Sequence, residues 1–155
     1  MSSFTKPLTT TYIGRGSWLV NESFSYHVGS EEGKEIIVVP KGFQTDFASV
    51  PWPASMLIPN SGNYNQAAVL HDYLYSLLGE YPIPNSNVIR VYTRKECDKI
   101  FLEAMGVLNS MDNLKIPYPK RRIMYRAVRM FGGFGWIYHD RRAKKLKLEN
   151  KKKEK

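Results

Sequence analysis

Strict alternation of apolar and polar positions occurs early in the chain. From Ser23 to Val28, Phe24, Tyr26 and Val28 fall on one side and Ser23, Ser25 and His27 on the other, the period of a half-buried strand. Glu35 to Pro40 is rich in Ile and Val, and Gly29 to Lys34 between them is a turn, so the two segments predict a β-hairpin. Residues 1–11 are polar, with Pro7 and a run of threonines, and predict a loose start.

The helical period takes over at Ala67. Ala67 to Leu78 reads as one buried helix that Gly79 ends, with Asn63 or Asn65 placed to cap its start. Val88 to Tyr92 predicts a short extended piece. Thr93 and Glu96 have the spacing of a capping box and open a second helix to about Leu108, with Cys97, Phe101, Ala104, Met105 and Leu108 inward. A third helix is predicted from near Pro119 to Phe131, with Ile123, Ala127 and Phe131 on its apolar face. Arg122, Arg126 and Arg129 read as a solvated face, and Gly132, Gly133 and Gly135 as the end of the helix. The expected fold is α+β: an N-terminal β-hairpin or small antiparallel sheet on a three-helix core, whose first two helices form a hairpin.

Composition changes this picture little, except at the end. A chain of 155 residues with 43% hydrophobic and 24% charged positions is long enough for one domain with a sizeable core. One cysteine allows no internal disulfide, and no apolar run approaches the ~20 residues of a membrane span or forms a signal-peptide core. The net charge is +9, and from Asp140 onward nine Lys or Arg stand against three acids. We therefore expect a globular domain over 1–138 and a basic, flexible tail over 139–155 that attracts anionic partners, phospholipid headgroups or nucleic acid.

The candidate chemistry lies on the helical hairpin. His71 and Tyr75 are four apart, so they share a face, and Leu74 and Leu78 turn that face inward. Asp98 stands three before Phe101 and seven before Met105, on the core-facing stripe of the second helix, where an acid is rare unless paired. A hydrogen bond between His71 and Asp98 is expected, with Tyr75 donating its hydroxyl to the same acid. A carboxylate on one ring nitrogen fixes the tautomer and leaves the other nitrogen to take a proton from water. Asp72 beside them is a candidate calcium ligand, if loop carbonyls add further oxygens. The irregular, aromatic and proline-ended loop Lys41 to Pro53 holds Thr45, Asp46 and Ser49 and is expected over the mouth of the His71 pocket. His139-Asp140 repeats the dipeptide in an irregular basic stretch and reads as chance.

His71-Asp72-Tyr73-Leu74-Tyr75 and Asp98-Lys99-Ile100-Phe101 resemble the catalytic hairpin of the small calcium-dependent phospholipases A2, in particular the compact, disulfide-free domain of parvovirus capsids. There His-Asp-x-x-Tyr stands on one helix and Asp-x-x-Phe on the next. The resemblance implies His71 as base, Asp72 as calcium ligand, and Tyr75 and Asp98 as support. The family's glycine-rich calcium loop has no counterpart upstream, where Ser61-Gly62-Asn63 is the nearest stretch.

A longer resemblance runs through Gly42-Phe43-Gln44-Thr45-Asp46-Phe47-Ala48-Ser49-Val50-Pro51 and Ala67-Ala68-Val69-Leu70-His71-Asp72-Tyr73-Leu74-Tyr75 to Asp98. It is similar to a family of phage and prophage proteins of unknown function, which implies a viral origin and a place in the host cytoplasm or the virion. Two readings follow. One is a phage-encoded, calcium-dependent hydrolase of lipid esters that breaches a membrane. The other is a non-catalytic virion or assembly component, partnered by virion proteins, in which the His-Asp pair holds two helices in register. A cell-wall hydrolase using the same pair is a third.

Overall fold

The structure, a computed structural model, describes residues 3–29, 35–46, 64–111 and 116–153. It is α+β. Six strands come first: β1 (Ser3–Phe4), β2 (Thr10–Gly14), β3 (Ser17–Val20), β4 (Phe24–His27), β5 (Ile36–Val39) and β6 (Gln44–Thr45). Helix α1 (Asn65–Ser76) follows, then the small hairpin β7 (Glu80–Pro82) and β8 (Ile89–Val91), then α2 (Arg94–Met111) and α3 (Tyr118–Lys153).

The alternating segment forms the predicted hairpin, β4 with β5, in a sheet ordered β1-β4-β5. Its apolar side, Phe24 and Tyr26 with Ile37 and Val39, is buried. The chain start is not loose over its whole length. Phe4 packs on Phe24 and Tyr26 at ring distances of 5.9 and 4.7 Å, and Thr5 exchanges hydrogen bonds with Ser25. The Phe4 ring, the β1–β4 pairing and the Gln66 side chain, which donates to the Lys6 carbonyl, hold residues that composition alone marks as polar. The sheet is tied to α2 where the Tyr26 hydroxyl (2.8 Å) and the Gly29 N–H (2.9 Å) both donate to Glu103.

A second sheet, β2-β3-β6, delivers the loop after β5 to the helices. Trp18 pairs with Thr45 and Leu19 with Gln44. The Val20 N–H donates to the Phe43 carbonyl, and the Phe43 ring meets Tyr73 of α1 edge-on at 5.2 Å. Thr45 and Asp46 are thereby set against α1.

Helix α1 is buried almost all round, from Gln66 to Leu70 and at His71, Leu74 and Tyr75. Tyr64 occupies the N-cap without a side-chain cap bond, in place of the expected asparagine; Asn65 is already helical and Asn63 lies outside the described residues. The helix ends at Ser76 with Leu77 as its C-cap, two residues short of the predicted Leu78, and Gly79 closes the turn that follows. Gly79 has φ +75° and its N–H donates to the Leu74 carbonyl, and a Cβ there would collide with the Tyr92 carbonyl. The capping box of α2 is formed: the Thr93 N–H donates to Glu96 at 2.7 Å and the Glu96 N–H to the Thr93 hydroxyl at 3.2 Å.

Helix α3 departs from expectation. It does not end at the glycines but runs through them to Lys153, so the basic segment from 139 is helical over its described length. Its inner face is Met124, Ala127 and Val128, while Ile123 stays 46% exposed. Among the described residues, no helix is long and apolar enough to cross a membrane.

Candidate functional site

The three helices meet around one acid. Asp98 is fully buried, and every partner it has there is a donor. His71 Nε2 lies 2.8 Å from Oδ1, and the Tyr75 hydroxyl donates to the same oxygen at 2.6 Å. Arg129 of α3 donates to Oδ2 at 2.5 Å, with Arg94 at 3.7 Å as a more distant ion-pair partner. Burial works to raise the Asp98 carboxyl, but His71, Tyr75 and Arg129 outweigh it and hold it below its usual value. Asp98 is therefore ionised and can only accept. The proton in the His71 bond must sit on Nε2, which leaves Nδ1 as the basic nitrogen.

The imidazole is clamped as well as bonded. Tyr75 lies over it at a centroid distance of 4.1 Å and Phe101 at 5.1 Å. Tyr75 is held in turn by Trp136, edge-on at 5.1 Å. Its phenol is driven far above the usual value, by burial first and then by Asp98, so it stays a neutral donor.

His71 lines a mostly apolar cavity of about 1060 Å³. Its walls are α1, α2 at Phe101, the segment 42–46, and α3 from Val128 to Leu146. Asp72 stands on the same wall as His71. Thr45 donates its hydroxyl to Asp72 Oδ2 at 2.6 Å, and Asp46 is near enough for its charge to act on Asp72. Burial is the main cause that raises the Asp72 carboxyl to about 6, and Asp46 adds to it against the opposing effects of Thr45 and His71. The Tyr64 hydroxyl, also at the cavity wall, is buried with no hydrogen-bond partner among the described residues, and burial raises its pKa.

His71, Asp98, Tyr75, Asp72, Thr45 and Asp46 are thus brought together as the sequence predicts, including the direct His71–Asp98 bond. Ser49 lies outside the described residues. Two basic groups were missed. Arg129, read as solvated, is the nearer of two arginines paired with Asp98. His139, read as chance, lines the cavity from α3, where burial and the Arg142 charge lower its pKa and Asp46 opposes them. Cys97 is packed in the core, as its place on the inner stripe of α2 predicts, and burial pushes its thiol up to about 12.

The glycines of α3 belong to this site. A Cβ on Gly132 would stand 2.7 Å from the Tyr75 hydroxyl, and one on Gly135 3.9 Å from the Tyr75 ring. They let the helix pass over Tyr75 while its hydroxyl reaches Asp98. Gly132→Ala should therefore lower stability by about 1–2 kcal/mol, because Tyr75 is pinned and cannot yield freely. Gly133→Ala, with nothing within 4 Å, should raise it by about 0.5–1 kcal/mol through helix propensity. Urea denaturation of the two variants checks the opposite signs; equal shifts would remove the packing role assigned to Gly132.

Residues 18–128 match the family described as "Protein of unknown function (DUF1353)". The chain belongs to that family. The matched span holds both sides of the His71–Asp98 pair and the Thr45–Asp46 segment, and it stops just before Arg129. No curated protein and no solved structure matches this DUF1353 chain.

Proposed function

We propose that this DUF1353 protein hydrolyses lipid esters, with His71 as the general base. The observation that carries the reading is the state of His71: Nε2 is committed to an ionised, buried carboxylate, and the ring lines a large apolar cavity. Water at Nδ1 would lose its proton to the ring as it attacks an ester carbonyl, Asp98 would stabilise the imidazolium that forms, and that proton would pass to the departing alkoxide as the acyl C–O bond breaks. The cavity would hold the acyl chain.

Calcium fits the acidic wall in its chemistry. Asp72, Asp46 and Thr45 are all oxygen donors, and the cost of a buried Asp72 carboxylate, to which the Asp46 charge adds, is what a hard cation relieves. Asp72 and Asp46 would hold the ion, which would supply polarisation of the substrate carbonyl. Among the described residues no group of three or more His, Cys, Asp or Glu is arranged to hold a metal, so the remaining oxygens would come from backbone or water.

The resemblance to phage and prophage proteins supports action on a host membrane. So do Phe134, Ile137 and Tyr138, exposed on α3, followed by the Lys- and Arg-rich end of the chain. The expected result is ester release from short-chain phospholipid in calcium buffer. It should fall by about 10²–10⁴-fold in His71→Gln and, on anionic vesicles, with added salt. Calorimetry should show calcium binding that Asp72→Asn loses. A protein that releases no ester and binds no calcium supports the other reading, a non-catalytic virion or assembly component. One observation favours that reading: Asp98 joins α1, α2 and α3 through His71, Tyr75 and Arg129, as a purely structural tie would.

A further inference from the structure

The cavity has two polar sides of opposite sign. Asp72 and Asp46 lie on the side of α1 and β6. His139 and Arg142 face it from α3, three residues apart and so on one face of the helix. The two sides are close, since the Asp46 charge acts on both Asp72 and His139. Between and beyond them the lining is apolar, with Phe134 and Leu146 on α3. An arginine at the rim of a half-enclosed cavity, beside a half-buried histidine, offers several N–H donors to one oxyanion. With no cation on Asp72 and Asp46, an acidic group of a ligand would be repelled from them and drawn to α3.

We propose that His139 and Arg142 form an oxyanion-binding end of the cavity that takes the anionic head group of an amphiphile, while the apolar walls take its chain. The charge pattern fixes the direction in which such a ligand enters. This inference rests on the lipid-ester reading for its use, since it would set which lipids are held with their ester near His71. It concerns binding alone and is tested without turnover.

Octylphosphonate has an anionic head, an apolar chain and no ester to cleave. Isothermal titration of the full chain should show it binding at least tenfold more tightly than octanol and more tightly than inorganic phosphate. Arg142→Gln should weaken octylphosphonate binding by about tenfold, the loss expected for one charge-assisted hydrogen bond. His139→Gln should weaken it less than Arg142→Gln at pH 7, since the histidine offers fewer donors. Octanol binding should not change in either variant. Both side chains are partly or largely open, so both variants should keep the wild-type melting temperature, measured alongside.

Equal affinity for octylphosphonate and octanol would overturn the proposal, as would no binding of either. So would wild-type octylphosphonate affinity in both variants. Inorganic phosphate binding as tightly as octylphosphonate would make this a site for free phosphate and overturn the amphiphile. A protein that binds octylphosphonate as described yet cleaves no ester keeps this site and loses only the hydrolase reading.

Discussion

Replacing Asp98 with leucine should cost about 3–5 kcal/mol of stability, the range for breaking a buried charged pair by removing one member. The acid is fully buried and takes bonds from His71, Tyr75 and Arg129. Leucine leaves all three donors without their acceptor. The lower end of the range is expected, because Arg129 and Arg94 keep 29% and 27% of their side chains open and can turn to water. A loss of this size is a large part of a typical domain's total stability of about 5–15 kcal/mol. Asp98→Asn separates packing from charge. Its amide oxygen still accepts from His71, so most of the fold should survive. Without the carboxylate, the imidazolium is no longer stabilised, and ester hydrolysis should fall by about 10²–10⁴-fold. Acid unfolding gives an independent readout. The Asp98 carboxyl is held below its ordinary 3.8, so its contribution is complete above that value and is lost as pH falls below it. Wild type should lose stability there and Asp98→Asn should lose less. Wild-type turnover by Asp98→Asn on a verified ester would leave the His71–Asp98 pair without a catalytic role.

The pairing of His71 with Asp98 was legible because both sit where the helical period demands apolar side chains. A histidine four residues from Tyr75 on one buried stripe, and an acid in register with Phe101 and Met105 on the next, have few other ways to be satisfied. Thr93 and Glu96 were legible for a similar reason, since a capping box is satisfied within four residues. What the sequence hid is the rotation of α3. Ile123 and Met124 are adjacent and both apolar, and they differ by about 100° around the helix. Only packing decides that Met124 is buried and Ile123 open, and with that choice Arg129 turns toward Asp98. The glycines misled for a related reason. Gly132 takes part in a helix because the space of its Cβ is filled by Tyr75, a residue 57 positions earlier, and no local pattern records that contact. Once α3 continues past the glycines, His139 and Arg142 fall on the cavity, far from the motifs that mark its other wall.

At pH 7.5, Asp72→Asn should be more stable than wild type. Burial is the main reason that the Asp72 carboxyl is raised from 3.8 to about 6, with Asp46 adding to it. A raised acid is one whose charge opposes folding. Its neutral form is fully compatible with the fold below the unfolded value of 3.8, and the cost of ionisation grows as pH rises through the folded value near 6. The whole shift corresponds to about 3 kcal/mol. Part of Asp72 stays open to the cavity, so water reduces this to about 2 kcal/mol. Asparagine keeps the shape and still accepts the Thr45 hydroxyl, so it removes the charge with little else. The expected gain is roughly 4–8 °C in melting temperature at pH 7.5 for a chain of this size, shrinking to nothing near pH 4. Calcium then gives the complementary experiment. A cation bound at Asp72 offsets the cost of its charge, so calcium should raise the melting temperature of wild type at pH 7.5 and leave Asp72→Asn unmoved. An acid kept where it weakens the fold is expected of a group that works in its charged form. Equal or lower stability of Asp72→Asn at pH 7.5 would show instead that the carboxylate is already compensated within the fold, and its assignment to a cation would lose its physical basis.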